Sequence, residues 1–139
     1  MQIPYGRQSI DEADIQAVVD VLRGDYLTTG PRIAEFEQAV AHYVGADYAV
    51  AVANGTAALH AACHAAGIRE GDEVITTPLT FAASANCVLY CKGTPVFADV
   101  DEKTYNIDPK DIRRKITPKT KAILAVHLAG QPCDMDEIH

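Results

Sequence analysis

The sequence predicts an α/β fold in which a mainly parallel sheet is flanked by helices. Short β-rich runs alternate with helical patterns from residue 48 onward, and this alternation is typical of right-handed βαβ crossovers. The runs are largely apolar, as strands of a parallel sheet covered by helices are. Hydrophobic residues make up 48% of the 139 residues, which is enough for one globular core.

Two helices are predicted before the sheet begins. A capping box with Ser9 as its N-cap residue opens the first helix, and apolar residues then recur at helical spacing as far as Gly24. Pro31 suits the first turn of the second helix, which Gly45 ends. Residues 1–45 are therefore expected to form an N-terminal arm with two helices.

Four strands are predicted after these helices. They are expected at residues 48–53, 73–77, 95–100 and 122–127. Helices are expected between them at residues 56–66, 80–92 and 109–116. Gly93 is expected to stop the second of these helices and Asp108 to cap the third.

The last residues resemble the acidic first turn of a further helix at 134–138. A helix of one turn is not stable by itself. We therefore expect the sequence to stop within an element, so that residues 46–139 are the first part of a larger domain.

The charge and apolar patterns exclude several classes of function. A formal net charge of −7, with no stripe of Lys and Arg, argues against a nucleic-acid partner. No apolar run is long enough to cross a membrane, and the N-terminus lacks a basic region followed by an apolar core. A cytoplasmic location is expected.

The four cysteines show no CxxC spacing, so we expect reduced thiols that act as small core residues. His60, Cys63 and His64 share one face of a predicted helix and form a candidate metal-ligand set. The Glu of an HExxH motif is absent, and alanines flank all three residues, as in a closely packed helix. We expect no metal.

The turn at Asn54 and Gly55 is the first candidate binding site. It follows a predicted strand and opens a helix, where free N–H groups and the helix dipole favour an anion. Gly55 allows close backbone approach, and Thr56 adds a hydroxyl group. The alternative is that Asn54 is only an N-cap residue and the turn binds nothing. Both interpretations remain open from these residues alone.

Phe81 is the second candidate, because it follows the next strand and would lie at the same sheet edge. An aromatic ring there either stacks on a flat cofactor or belongs to the core. The sequence has neither a GxGxxG motif after a strand nor a P-loop, which argues against a nucleotide-binding Rossmann domain.

Five segments appear in the order found in DegT-type nucleotide-sugar aminotransferases, and the resemblance runs from about residue 3 to the end. The segments are YLTTGP at 26–31, NGTAAL at 54–59, TPLTF at 77–81, GTPVFADV at 93–100 and HLAGQP at 127–132. Residues 3–8 and 85–90 most resemble the branch that aminates UDP-4-keto-6-deoxy-N-acetyl-L-altrosamine for pseudaminic acid.

This resemblance implies the first part of the large domain of a fold type I enzyme, with three αβα layers, and without the small C-terminal domain. It also implies the cofactor pyridoxal 5'-phosphate. Its phosphate would meet the backbone and side chain of Thr56 and the backbone of Ala57, while Phe81 would lie against the pyridine ring.

The resemblance further implies which residues approach the sugar nucleotide. The loop before the second helix would do so, with two further residues nearby. The loop residues are Asp25, Tyr26, Leu27 and Thr28, and the others are Tyr5 and Gly55.

The implied reaction carries an amino group from glutamate to C4 of a UDP-linked 4-keto-6-deoxy sugar used in surface polysaccharide or flagellin glycosylation. Members of the family are typically homodimers. The Schiff-base lysine and the aspartate that faces the pyridine nitrogen are expected beyond His139, so no catalytic residue is expected in this chain, which alone should be inactive. The alternatives are a non-catalytic nucleotide-sugar binding protein and a related dehydratase with histidine in place of that lysine.

Overall fold

The computed structural model describes residues 6–139. Tyr5, predicted to lie near the sugar nucleotide, falls outside the described residues. The chain forms two compact units, Met1–Ala51 and Val52–His139, and each is described by itself. The division predicted from the sequence, 1–45 and 46–139, stays a prediction.

The first unit contains the two predicted helices, α1 (Glu12–Arg23) and α2 (Pro31–Val44). The N-cap residue of α1 is Asp11, so the prediction of Ser9 was wrong. The Asp11 carboxylate accepts from the N–H groups of Ala13 and Asp14 at 2.9 and 3.1 Å, and the Asp14 carboxylate accepts from the Asp11 N–H at 3.0 Å. This reciprocal pair satisfies the helix start two residues later than the predicted box.

Helix α2 begins at Pro31 and ends at Gly45, as predicted. Gly45 adopts the left-handed conformation with φ of 69°, and its N–H donates to the carbonyls of the last turn. After the helix, the Glu37 carboxylate accepts from the Ala51 N–H at 2.8 Å and connects the following segment to α2.

The predicted strand at 48–53 is absent from the described residues, so that prediction was wrong. The segment pairs with no other strand there, and Tyr48 and Val50 are 88% and 79% exposed. A strand needs a neighbour for its backbone hydrogen bonds. A β-rich sequence alone does not supply that partner.

The second unit is built on a three-stranded sheet of β1 (Glu73–Thr76), β2 (Thr94–Phe97) and β3 (Thr120–Leu124). The spatial order is β2-β1-β3, and both pairings are parallel. This arrangement confirms the predicted parallel sheet and three of its four strands. The observed β2 and β3 begin earlier and end earlier than predicted.

Four helices complete the second unit and cover both faces of the sheet. They are α3 (Gly55–Ala65), α4 (Ala83–Tyr90), α5 (Pro109–Lys115) and α6 (Met135–Ile138). Val74 of β1 packs with residues of α3 and α4, while Ile75 packs with residues of α5 and of the segment before α6. Successive strand residues point to opposite faces, which gives the expected three αβα layers.

Helix α4 is shorter than the predicted helix at 80–92, and its end differs from the prediction. The turn is made by Lys92, which has φ of 63°, and not by Gly93. A Cβ at Gly93 would lie 2.7 Å from Ile68 Cγ2 and 3.0 Å from Val88 Cγ1. Gly93 is therefore required because a side chain at this position would clash with Ile68 and Val88 in the core. Asp108 caps α5 as predicted, accepting from the Lys110 N–H at 2.9 Å.

Candidate functional site

The N-terminus of α3 lies toward the carboxyl edge of the sheet. Helix α3 packs on one face through Leu59 and Cys63, and a short loop then leads from its C-terminus to the first residue of β1. The helix therefore runs antiparallel to β1. Its first turn lies at the edge where parallel α/β sheets bind ligands.

Asn54 is the N-cap residue of α3, and its side chain is engaged. The Asn54 Oδ1 atom accepts from the Ala57 N–H at 2.9 Å, and the Asn54 carbonyl accepts from the Ala58 N–H at 3.1 Å. Asn54 is therefore an N-cap residue, and binding of an anion at the same turn stays a prediction. The cap also means that the Ala57 N–H, predicted to bind the phosphate, already has an acceptor.

Two backbone donors of this turn remain without an acceptor in the described structure, the N–H groups of Gly55 and Thr56. A Cβ built on Gly55 meets no atom within 4 Å, so the space in front of the turn is open. Thr56 is half-buried and adds its hydroxyl group. This donor set and this open space fit a phosphate group.

Phe81 lies in the loop between β1 and α4 and is 77% exposed. The core interpretation therefore does not hold in the described structure. The loop is held from both sides, because the Phe81 carbonyl accepts from the Ser84 N–H at 3.0 Å and the Thr77 hydroxyl accepts from the Leu79 N–H at 3.1 Å. An exposed ring on a fixed loop at the carboxyl edge is free to stack on a planar ligand.

The predicted sugar loop lies in the first unit, between α1 and α2. Its residues Asp25, Tyr26, Leu27 and Thr28 are all exposed. Thr29 adopts φ of 55°, and its hydroxyl donates to the Thr28 carbonyl at 2.7 Å. Gly55, assigned to the same substrate, belongs to the second unit, and these assignments stay predictions.

Comparison with known proteins decides the family. Residues 8–139 match the DegT/DnrJ/EryC1/StrS aminotransferase family. The chain belongs to this family.

Two curated relatives illustrate the similarity to other DegT-family members. The spore coat polysaccharide biosynthesis protein SpsC of Bacillus subtilis is 49% identical over 136 residues, which cover 98% of this chain and 35% of that protein. The GDP-perosamine synthase of Caulobacter vibrioides is 54% identical over 111 residues, which cover 80% of this chain and 30% of that enzyme. The chain thus spans about a third of the length of the curated relatives it matches.

Solved DegT-family structures share the same fold. A sugar aminotransferase of Streptococcus pneumoniae in its PLP form matches with a TM-score of 0.91 and 36% identity, covering 99% of this chain and 35% of that one. PseC of Helicobacter pylori, an aminotransferase in pseudaminic acid biosynthesis, matches with a TM-score of 0.89 and 32% identity, covering 99% of this chain and 38% of that one. The fold is therefore that of the N-terminal part of a PLP-dependent fold type I aminotransferase.

The cysteines of this DegT-family chain are all free. Cys63 and Cys87 are buried in the core between α3 and α4, with their sulfur atoms 3.5 Å apart. Burial, together with the hydrogen bond to Cys87, raises the pKa of the Cys63 thiol to about 11. The Cys63 thiol is therefore part of the core. His60, in contrast, is exposed and packs edge-on against Tyr90, with ring centroids 5.3 Å apart. The candidate ligand set is therefore divided between core and surface.

Residues 6–139 contain no group of three potential metal ligands placed to share an ion. The same part of the chain has no helix of the length and apolar character that crossing a bilayer requires.

The loop after β3 is fixed by contacts that the sequence did not predict. Asn106 is 3% exposed, and its side chain binds this loop at three points, the Leu128 N–H at 3.0 Å and the carbonyls of Gln131 and Pro132 at 3.1 and 3.0 Å. The bonds span 22 to 26 residues. Hydrophobic periodicity does not predict contacts between residues so far apart in the chain. Within the loop itself, the HLAGQP motif at 127–132 was the feature that marked this segment.

Proposed function

We propose that the longer protein to which this chain corresponds is a PLP-dependent aminotransferase. It transfers an amino group from glutamate to C4 of a UDP-linked 4-keto-6-deoxy sugar in cell-surface polysaccharide or flagellin sugar biosynthesis. It acts as a cytoplasmic homodimer. Family membership supports the reaction class, and the name of the Bacillus subtilis relative supports the polysaccharide context.

The observation that carries this proposal is the open first turn of α3. The N–H groups of Gly55 and Thr56 have no acceptor in the described structure, and nothing lies within 4 Å of a Cβ at Gly55. In this proposal these two amides and the Thr56 hydroxyl hold the phosphate group. The Ala57 N–H joins them only when the Asn54 side chain releases it.

Phe81 supplies the second contact in this proposal. Its ring is 77% exposed, on a loop that follows β1 at the carboxyl edge. Stacking of this ring orients the planar cofactor, while the α3 turn fixes its phosphate. Together these residues would hold the cofactor at its phosphate and at one face of its ring.

The cofactor, when bound, supplies the electron sink for amino transfer. The residues of this chain bind and orient it and exclude water from the Phe81 side of the ring. The lysine that attaches it and the aspartate that keeps its pyridine nitrogen protonated are proposed to lie beyond His139.

The substrate branch rests on the sequence segments at 3–8 and 85–90 and on the similarity to PseC at 32% identity. The loop residues Asp25, Tyr26, Leu27 and Thr28, with Tyr5 and Gly55, are proposed to contact the sugar nucleotide. A second candidate substrate is a GDP-linked 4-keto sugar, because the Caulobacter relative is a GDP-perosamine synthase with 54% identity over 111 residues.

The test is an amination assay of the full-length protein. The PLP-loaded enzyme is incubated with glutamate and with UDP-, dTDP- and GDP-linked 4-keto-6-deoxy sugars, and products are identified by mass spectrometry. We expect the UDP-linked sugar to gain an amino group at the highest kcat/KM. The 139-residue chain, assayed in parallel, should aminate none of them.

Other outcomes would point to other functions. Preferred amination of the GDP-linked sugar would transfer the proposal to the second substrate. Loss of a hydroxyl group from the sugar, with no nitrogen gained, would indicate a dehydratase. Binding of nucleotide sugar without any reaction would indicate a non-catalytic binding protein.

A further inference from the structure

The outer edge of β2 is the side of this strand that faces away from β1. Among residues 6–139, β1 is the only strand that pairs with β2. The Thr94 N–H donates to the Asp72 carbonyl and the Ala98 N–H donates to the Thr76 carbonyl, both at 2.9 Å. Because the backbone groups of alternate residues point to the same side of a strand, positions 94, 96 and 98 face β1. Positions 93, 95, 97 and 99 therefore face outward.

Most of these outward positions offer no free N–H group. The Gly93 N–H donates to a carbonyl of α4 at 3.0 Å. Pro95 has no N–H group. The Asp99 N–H donates to Asp111 Oδ2 at 2.7 Å. Within residues 6–139, the N–H of Phe97 is thus the one outward donor of this edge that has no acceptor.

The Asp111 carboxylate occupies the place where a neighbouring strand would supply a carbonyl acceptor. Asp111 is 7% exposed, and the Arg114 guanidinium donates to it at 2.9 Å, so α5 fixes the position of this acceptor. A shallow cavity of about 430 Å³ lies beside the end of β2, and Phe97, Asp99, Arg114 and Lys115 are among the residues that line it. A strand added here would bury these charged groups, which opposes pairing.

We propose that Pro95 and Asp111 close the outer edge of β2 to strand pairing, so that neither the rest of the full-length protein nor a second copy adds a strand there. The Phe97 ring is 46% exposed, so without these two residues the edge would be both apolar and rich in free donors. Such an edge is a template for association, and proline and charged side chains are known to prevent it. The inference does not depend on the proposed reaction, and it confines the interface of the expected homodimer to other surfaces.

The first experiment uses the wild-type full-length protein and needs no substitution. Amide hydrogen exchange is followed by mass spectrometry with fragmentation that resolves single residues. We expect the Phe97 amide to exchange at least about 100-fold faster than the Ala98 amide, because only the Ala98 N–H is bonded within the sheet. A Phe97 amide as protected as that of Ala98 would show that another segment or a second copy pairs with the edge, and the inference would be wrong.

The second experiment restores the missing donor in the full-length protein. Pro95→Thr adds an outward N–H group two residues before that of Phe97, and association is measured by light scattering over a rising concentration series. We expect the average mass to reach about 2-fold the wild-type value or more. Adding Phe97→Lys to this variant keeps the new donor and places a charge at the edge, so the association should be lost. Pro109→Thr removes a proline at the first position of α5 and should behave as wild type.

Two outcomes of the second experiment would contradict the role of Pro95. A folded Pro95→Thr variant with the wild-type mass at every concentration would show that the proline is not needed to close the edge. Equal association of Pro109→Thr would assign the effect to general destabilisation. Should Pro95→Thr fail to fold, exchange of the Phe97 amide in the wild type decides between an open and a paired edge.

Discussion

At the scale of single residues, the α3 turn contains an observed helix cap and a proposed anion site in one segment. The Asn54 side chain satisfies the Ala57 N–H at 2.9 Å and thereby stabilises the helix start. The amides of Gly55 and Thr56 are left for a ligand. Capping does not by itself exclude anion binding, because the cap uses the Ala57 N–H and leaves the other two amides without an acceptor.

The division of donors predicts different effects for two substitutions in the full-length protein. Thr56→Val keeps the shape of the side chain and removes its hydroxyl, so we expect Kd for pyridoxal phosphate to rise about 5- to 20-fold with little change in stability. Asn54→Ala removes the cap and should cost about 1 kcal/mol of unfolding free energy, with Kd changed less than about 3-fold.

Titration of both apoproteins with the cofactor and urea unfolding provide the measurements. A larger loss of affinity in Asn54→Ala than in Thr56→Val would contradict the assignment of Thr56 as the main side-chain contact with the phosphate.

At the scale of elements, local sequence signals located most helices and strands correctly. Pro31 and Gly45 bound α2, and Asp108 caps α5, because the groups that satisfy a helix end lie within a few residues of it. The segment at 48–53 has the composition of a strand but no partner in the described residues. Composition signals the preference for extended chain, and pairing depends on a distant segment.

The end of β2 and helix α5 are joined by Asp111. The Asp111 carboxylate accepts from the Asp99 N–H at 2.7 Å and from the Arg114 guanidinium at 2.9 Å. Both hydrogen bonds hold the pKa of Asp111 below its ordinary value of 3.8, and the bond from the Asp99 N–H has the larger effect.

This lowered pKa predicts a specific acid sensitivity. Because the folded-state pKa lies below the unfolded value, the stabilisation is complete above that ordinary value and is lost as pH falls through the folded pKa. Urea unfolding midpoints should therefore fall as the pH drops below roughly 4 in the wild type, and Asp111→Asn should have a lower midpoint at neutral pH and a weaker dependence on acid.

Asp101 provides a matched comparison for this test. The N–H groups of Thr104 and Lys103 also lower the pKa of Asp101, but this carboxylate is exposed and closes only its own turn. Asp101→Asn should change the acid dependence less than Asp111→Asn. Equal acid profiles for wild type and Asp111→Asn would contradict the role of Asp111 in joining β2 to α5.

At the scale of the whole molecule, the chain exposes a large amount of apolar surface. In the first unit Val18, Leu22 and Phe36 are 60%, 63% and 60% exposed, and they belong to the apolar stripes of α1 and α2. Stripes of this kind are normally covered by another surface.

We expect the full-length protein to be a homodimer, as members of the family usually are. Size-exclusion chromatography with light scattering at micromolar concentration should give twice the mass of one chain. Replacing Val18 and Leu22 together with Gln should shift the population toward monomer if α1 contributes to the interface, whereas Gln16→Ala on the same helix provides a polar control. A wild-type monomer at that concentration would contradict the dimer.

The sequence by itself determined the fold class, both ends of α2, the cap of α5 and the two candidate segments at Asn54 and Phe81. These features depend on contacts between residues close in the chain and on hydrophobic periodicity. Both can be read from the amino-acid sequence. Only the tertiary structure decided that residues 48–53 are unpaired, that the Phe81 ring is exposed and that Asn106 fixes the loop at His127. Each of these three features depends on contacts, or on the lack of contacts, between residues far apart in the chain. Such contacts are determined only when the chain folds.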